Sequence, residues 1–547
     1  MRLSSAVSKF DPCKATCSFT YVHKPTDQGI VVIRGPVDGD GLPEFQISDQ
    51  FYQREYRSCF GPMFYIEGLE MPGSGPGEFK AGVSRLFAIR EPDVAGLHDR
   101  LKRNQDTMHR RFRGLLHRFK KHIHLYMNSI VRGEGYPVWL DRACAKRKIR
   151  LNVHADDLKY LNLLEDEMKM IRYFLKSSEW LSLGKKRAVG DLGSKRTQQT
   201  AWFCEFVKEA WSVPFVLDRA EFRFLKAPEK DELREGMNRL MNVGLGEMYF
   251  LYFSDDSCVS VGCLDGVFTA NLDIKQCDGS HYNPLFRLFE YLLCTDCAGL
   301  STFFSEDLKR ALSYLRRPCV VSNPEDWKVR VVYIFLVMRL FSGSVLTTLL
   351  NNLANLLIGL SIYQLIGGRL LTKNEVRELL VPAGEAVGYI IKIVECNHPE
   401  DIQFLKHSPH LNDEGSYEPI INLAVFFRGF GTFVGELPGS GKKSYARRAQ
   451  DYINDVIIGR RNWGNHAIND AFQSLVTSDV KCSLANRIEH VKSIGDCFGR
   501  VSLSSIATRY DCHVSELEEL CNCIRESGVG SIVNLEVVTK MYRKDYG

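Results

Sequence analysis

LYFSDDSCVS, residues 251–260, sets two adjacent carboxylates, Asp255 and Asp256, between an aromatic run and a β-branched run. YFLYF (249–253) and CVSV (258–261) have strand composition, so the stretch reads as a β-hairpin with Ser254, Asp255 and Asp256 at its tip. A second acidic cluster, LDIKQCDGSH (272–281), follows almost at once, and VFTANLDI (267–274) reads as a further strand with Asp273 near its end. Only a short turn, from Gly262 to Gly266, joins hairpin to strand. That predicts sheet neighbours and brings Asp255, Asp256 and Asp273 together. Converging carboxylates repel one another unless a cation sits among them. Oxygen-only ligands favour a hard divalent ion, Mg²⁺ with Mn²⁺ as the alternative, and phosphate oxygens complete its shell. Two such ions serve in-line displacement at phosphorus, with the acids as ionised ligands.

The surroundings bound this reading. With 45% hydrophobic and 25% charged residues in 547, the chain has the profile of a soluble globular protein of two to four domains or subdomains. Its net charge of only +5 requires any nucleic-acid affinity to come from local basic surface. Seventeen cysteines without a regular framework, and an N-terminal MRLSSAVSKFDPCK without an apolar core, predict reduced thiols and a cytosolic compartment. Zinc at Cys13–Cys17, or at Cys521–Cys523 with His513, lacks any CxxC pair. No stretch reads as a membrane span. The most apolar region, Val331 to Ile366, is interrupted by Arg339 and several polar residues, and buried helices account for it.

Several segments carry further signals. In RLKRNQDTMHRRFRGLLHRFKKHIHLY (100–126), Met108, Phe112, Leu115, Leu116, Phe119 and Ile123 share a helical face, with Arg and Lys over much of the rest. This is either a solvated basic helix packed on a core or a wall of a nucleic-acid channel. In SGSVLTTLLNNLAN (342–355), leucines line one face while Gly343, Thr347, Asn351 and Asn355 recur every fourth residue. Such a polar stripe needs a polar ligand or neighbour. KDELREGMNR (230–239) supplies Lys230, Arg234 and Arg239, cations suited to a triphosphate, although alone it is a solvated charge run. KKRAVGDLGSKRT (185–197) is either a lining of a template entrance or a plain surface loop. FGPMFYIEGLEMPGSGPGEFKAG (60–82) reads as an extended loop. GELPGSGKKS (435–444) fails the spacing of a phosphate-binding P-loop. His398 and His407 read as structural.

Together these segments resemble the motifs of viral RNA-dependent RNA polymerases. KDELR with a following Arg resembles motif F, DIKQCD the D-x4-D of motif A, SGSVLTTLLN the SG-x3-T-x3-N of motif B and YFSDDSC the hairpin of motif C. VPAGEAVGYIIKIVE (381–395) resembles motif D with Lys392 in the lysine position, and DIQFLKHS (401–408) the FLK of motif E. GEGYP (133–137) faintly resembles motif G. The six main motifs cover about 230–408, one third of the chain. Motif C precedes motif A, an order similar to the permuted palm of birnaviruses and permutotetraviruses, with SDD closer to the latter. Two departures stand out: motif F is short, with Met237 aligned to a lysine, and Ser254 stands where Gly is commoner.

The resemblance implies an α+β fold, a right hand of fingers, palm and thumb with an antiparallel palm sheet of permuted connectivity. Its expected parts are an N-terminal extension (1–100) joining the fingers, fingers with motif F (101–245), palm motifs C and A (246–281), a fingers insertion (282–340), palm motifs B, D and E (341–408) and a helical thumb (409–547). It implies that Asp273 and Asp255 bind both metals with Asp256 assisting, and that Lys392 protonates the leaving pyrophosphate. Lys230, Arg234 and Arg239 would hold the incoming nucleotide. Asp278, with Thr347 and Asn351, would read the ribose 2′-OH, and Ser342 and Gly343 would form the loop at the base of the motif B helix. Phe404, Leu405 and Lys406 would steady the product strand. The implied activity is RNA-templated RNA synthesis from nucleoside triphosphates, replicating and transcribing a viral genome in the host cytoplasm, within a replication complex or a virion. RNA template, product strand, and viral or host replication proteins are the expected partners. Two other readings remain: a two-metal nuclease, which leaves KDELR and the motif B pattern without a purpose, and a non-catalytic RNA-binding replication protein, which has no need of the clustered acids.

Overall fold

The computed structural model of the protein describes residues 20–26, 29–50, 57–69, 76–84, 96–135, 138–139, 142, 170–176, 186–192, 194–226, 228–293, 308–309, 311–335, 337–477 and 499–547. The sheet that carries the acids has six strands: β1 (Phe215–Leu217), β2 (Ala220–Phe224), β3 (Met248–Phe253), β4 (Asp256–Cys263), β5 (Gly266–Ile274) and β6 (Ile391–Glu395). Their spatial order is β6-β5-β4-β3-β2-β1, and only β2 against β3 is parallel. Only Ser254 and Asp255 turn the β3–β4 hairpin, so Asp256 is the first residue of β4 and not part of the tip. Ser254 adopts φ 56, the left-handed conformation that a two-residue hairpin turn requires. This is the position where Gly is commoner.

Strands β3 and β4 are buried almost end to end because both faces of the sheet are covered. On one face lies the helix Thr347–Ile366, whose Leu349, Leu350, Leu353, Leu356, Leu357 and Leu360 are fully buried. Each such leucine contributes roughly 1.5–3 kcal/mol of burial. At Gly359 the helix meets the sheet so closely that a Cβ would fall 2.9 Å from the Phe250 ring. Gly367, at φ 57, ends it in a left-handed cap. By length and composition this helix is long and apolar enough to cross a membrane, yet 83% of that window is buried inside the protein. The other face of the sheet is enclosed by the helix Lys230–Met241 together with Ile402 and Phe404, around Tyr249, Leu251 and Cys258.

A second six-stranded sheet runs Thr20–Thr26, Gly29–Gly35, Arg330–Phe335, Cys319–Ser322, Ile171–Leu175, Ala188–Asp191 in space, around a core that includes Val31, Ile33, Ile171, Tyr333 and Phe341. The expected N-terminal extension divides between two units. Its residues 29–35 join this second sheet, whereas Arg57–Cys59 pairs with Thr432–Val434 and Met63–Phe64 with Ile532–Val533. Phe60, Phe64 and Ile66 thereby enter the core of the C-terminal unit. That unit opens with a β-hairpin, His407–Leu411 with Tyr417–Ile421, and continues mainly in helices, including Tyr445–Ile458 and Val514–Glu526. Ser444, at the end of the P-loop-like stretch, caps the first of these. The basic stretch forms two helices, Leu97–Arg111 and Arg113–Gly133, which bury Met108, Phe112, Leu116, Phe119 and Ile123 in the main core. Cys13, Cys17 and residues 136–137 lie outside the described residues.

Candidate active site

Cross-strand register places the acids in a line. Asp256 of β4 is the direct partner of Asp273 of β5, and Asp273 is the direct partner of Lys392 of β6. Directly opposed residues share a face, so these three side chains leave the sheet on the same side. Asp255, on the turn, lines a cavity of about 400 Å³ together with Asp273. Like charges directly opposite one another oppose folding. Burial and then the charges of Asp255 and Asp273 push the Asp256 carboxyl up to about 6, against the pull of Lys406 and the Leu405 amide. Asp273 is shifted upward too, first by burial and then by Asp255, with Lys392 and Arg187 opposing. It keeps access to water at the cavity mouth, although protein surrounds most of the carboxyl.

An oxygen-only donor set of this kind suits Mg²⁺, and the upward shifts record burial first and then a repulsion, both of which a cation would offset. Among the described residues no group of three or more His, Cys, Asp or Glu side chains stands ready to hold a metal. The three acids are therefore neighbours without a closed cage. Cys277, beside them, is fully buried, and burial with the nearby Asp charges raises its thiol well above the ordinary range. Cys521 and Cys523 are free thiols that join no such group.

The polar stripe on the Thr347–Ile366 helix finds its partner in the acidic hairpin. The Ser254 N–H donates to Asn352 Oδ1 (2.6 Å), the Ser254 carbonyl accepts from Asn355 Nδ2 (2.6 Å), and Ser257 Oγ donates to Asn355 Oδ1 (2.9 Å). Asn352 stands outside the every-fourth pattern, and only its pairing with Asn351 in the sequence marks it. Asn351 Nδ2 donates to Asp278 Oδ1 (2.9 Å), and Ser342 Oγ donates to Asp278 Oδ2. Thr347 Oγ1 donates to the Phe341 carbonyl (3.0 Å). Asp278, Ser342, Gly343, Thr347 and Asn351 all face the cavity that holds Asp255 and Asp273. Gly343 has φ 102, and a Cβ there would lie 2.9 Å from the Gly190 carbonyl oxygen. Only glycine fits that loop.

Lys230, Arg234 and Arg239 are placed elsewhere. Arg234 is held by Glu418 (2.7 Å) and Asp231 (2.6 Å), and Arg239 by Glu247 (3.3 Å) and Glu221 (3.8 Å). Both guanidinium groups border a separate open groove, and none of the three residues lines the acidic cavity. Among the described residues the cations that do are Lys176, Arg187 and Arg339. Arg187 belongs to the basic stretch 185–197, whose Arg187–Val189 segment is cavity wall and not merely an outer loop.

Lys392 Nζ donates to the Gly547 carbonyl (3.2 Å). Phe404 is a fully buried core side chain. Leu405 and Lys406 both take left-handed backbone (φ 51 and 59), a turn that presents the Leu405 amide to Asp256. Lys406 Nζ donates to the Asp545 carbonyl (2.8 Å) and lies 4.4 Å from the centre of the Tyr546 ring. Burial lowers the Lys406 ammonium, with Asp256 and Asp545 pulling it back. Asp545 is itself paired with Arg509 (2.7 Å) and accepts from Tyr510 (3.0 Å), both partners buried. The C-terminal helix and the acidic strands thus meet at the Phe404–Lys406 turn.

No family model and no curated protein matches the chain. Similar solved structures include the birnavirus VP1–VP3 complex, at 12% identity and TM-score 0.39, and the RNA polymerase VP1 from Infectious Pancreatic Necrosis Virus, at 13% and 0.40. Each alignment covers 62% of this chain and 47% of the other, so the chain spans about half the length of the structures it matches.

Proposed function

We propose that the protein is an RNA-templated RNA polymerase with a permuted right-hand fold, replicating and transcribing a viral RNA genome in the host cytoplasm. The observation that carries the proposal is the pairing of Asp256 with Asp273 beside Asp255, at a cavity whose other wall bears Asp278, Ser342, Thr347 and Asn351. In this reading the six-stranded acidic sheet is the palm, the second sheet belongs to the fingers, and the C-terminal helical unit is the thumb.

Asp255 and Asp273, assisted by Asp256, would hold Mg²⁺ or Mn²⁺, which when bound supplies Lewis-acid activation of a 3′-hydroxyl and charge stabilisation on phosphate. Lys176, Arg187 and Arg339 bind the triphosphate, in place of Lys230, Arg234 and Arg239. Asp278 and Asn351 accept from and donate to the ribose 2′-OH, a group absent from deoxyribonucleotides. Lys392 Nζ delivers a proton to the departing pyrophosphate oxygen, giving up its bond to the Gly547 carbonyl to do so. Lys406 holds the strand-end acids and the C-terminal helix in register, and the product strand passes the Phe404–Lys406 turn by its backbone. RNA pairing supplies sequence fidelity, and replication proteins of virus or host complete the assembly.

The test is RNA synthesis by purified protein with an RNA template, labelled nucleoside triphosphates and Mg²⁺, with Asp255→Ala alongside. Template-dependent extension lost in the variant supports the proposal. RNA shortening that the same substitution abolishes would identify a nuclease instead, and binding without chemistry would identify a non-catalytic protein.

A further inference from the structure

Asp278 and Asn351 are tied to a histidine that no motif marks. His281 is 1% exposed, three residues beyond Asp278. Its Nε2 lies 2.8 Å from Asn351 Oδ1, and its Nδ1 lies 3.1 Å from the Tyr389 hydroxyl. Hydrogen-bond chemistry assigns the protons. An ionised Asp278 only accepts, so Asn351 must turn its NH₂ toward Asp278 and its carbonyl toward His281. That carbonyl needs a donor, which makes His281 the Nε2–H tautomer. The bare Nδ1 then accepts from the Tyr389 O–H. The chain Tyr389–His281–Asn351–Asp278 therefore has a single consistent direction, assigned from the network as a whole.

The histidine is also held rigidly along the backbone. Gln105, fully buried on the Leu97–Arg111 helix, donates to the carbonyls of Ser280 (3.0 Å) and Gly388 (3.3 Å) and accepts from the Tyr282 N–H (3.1 Å). One amide thus pins both neighbours of His281 and the residue before Tyr389. The Tyr389 ring packs edge-on against the imidazole, 5.8 Å between centres. A fully satisfied polar network of this kind specifies one arrangement of its members.

We propose that His281 is a positioning residue for sugar selection: it fixes the direction of the Asn351 amide, and through it the pair that recognises a ribose 2′-OH. The inference rests on the polymerase reading. Without the Nε2–H, the buried Asn351 carbonyl loses its donor and Asp278 alone orients the amide, so the flipped amide, which lacks the donor that a ribose hydroxyl would meet, becomes more populated.

The experiment compares kcat/KM for ribonucleotides and deoxyribonucleotides in template-directed synthesis. His281→Phe should lower the discrimination about tenfold, the worth of one hydrogen bond, by admitting deoxyribonucleotides. His281→Gln, whose side-chain amide again offers a donor to Asn351, should restore most of it. Tyr389→Phe keeps the ring packing and should lower it about threefold, since it loses only the orienting bond. If His281→Phe does not fold, Tyr389→Phe decides alone. Equal slowing of both sugars, or no change in the ratio, overturns the inference. Asp278→Ala separates the two levels: if it relaxes discrimination while the His281 and Tyr389 variants do not, only the role of His281 falls. If it too leaves the ratio unchanged, or the wild-type protein makes no RNA, the reading beneath falls as well.

Discussion

Replacing Asp256 by Asn should make the metal-free protein more stable while abolishing RNA synthesis. Asp256 stands opposite Asp273, and its carboxyl is pushed up to about 6 from an ordinary 3.8. At 1.36 kcal/mol per pH unit, the ionised form costs the folded protein about 3 kcal/mol. Because the folded-state value lies above the unfolded one, this penalty is absent below pH 3.8, grows as the pH rises toward 6 and is complete above it. Asn removes the charge yet keeps an acceptor for the Leu405 amide. In urea unfolding with a chelator present, Asp256→Asn should gain about 3 kcal/mol at pH 8 and about half of that at pH 5. Adding Mg²⁺ should shrink the gain at pH 8, since a cation held by three carboxylates binds more tightly than one held by two and stabilises the wild type more. A variant no more stable than wild type at pH 8, or equally favoured at both pH values, would refute the reasoning that a buried, crowded carboxylate strains this strand pair.

Asn355→Ala should lower RNA synthesis by about 10- to 100-fold, the usual effect of losing a residue that orients a metal ligand, while circular dichroism stays unchanged. An unaffected rate would mean that the SDD turn holds itself. Arg187→Ala should raise the KM for nucleoside triphosphates about 10- to 100-fold through loss of a charged hydrogen bond, whereas Arg234→Ala, whose guanidinium is occupied by Glu418, should leave it unchanged; the reverse result would reinstate the KDELR helix as the phosphate site. Asp545→Ala leaves Arg509 buried and unpaired and should cost about 3–5 kcal/mol in denaturant titrations.

The acidic hairpin is readable because composition and connection length act together there. Aromatic and β-branched runs define β3, β4 and β5, and the tight β4–β5 turn leaves them little choice but to pair. The error of one residue at the tip, where Asp256 proves to be strand, comes from Ser254 taking a left-handed conformation that its side chain does not announce. Periodicity on the Thr347–Ile366 helix shows that something polar must face Thr347, Asn351 and Asn355, but not that Asn355 meets the Ser254 turn roughly a hundred residues upstream, Asn351 meets Asp278 and Thr347 turns to the nearby Phe341 carbonyl. The cations that line the acidic cavity are illegible for a similar reason. A charge run such as KDELR carries no sign of which side of a sheet it will cover, nor that Glu418 and Glu221, far away in sequence, will take up its arginines. Phe404 looks like a contact residue inside a motif and proves to be core. The pairing of Met63–Phe64 with Ile532–Val533 spans nearly the whole chain, a separation no local pattern can report.

The order of the acids along the chain has an energetic consequence. Asp256 and Asp273 lie seventeen positions apart, whereas Lys392 reaches Asp273 from across more than a hundred residues. Closing the shorter loop costs about 1.7 kcal/mol less than closing the longer, so the repelling pair is assembled by the less expensive of these two contacts. The cost of ionising Asp256, from burial first and repulsion second, is about 3 kcal/mol, and it falls on a strand pair whose other residues, from Ser257 to Cys263, are buried and in register with β5. The acids are thus brought together by strand pairing on one side and by Asn352 and Asn355 on the other, with the Leu405 amide on Asp256 as the carboxylate's own hydrogen bond to the fold. A geometry fixed by groups that take no part in the chemistry depends on register and helix contact, and not on whether the hairpin precedes or follows the Asp273 strand in sequence.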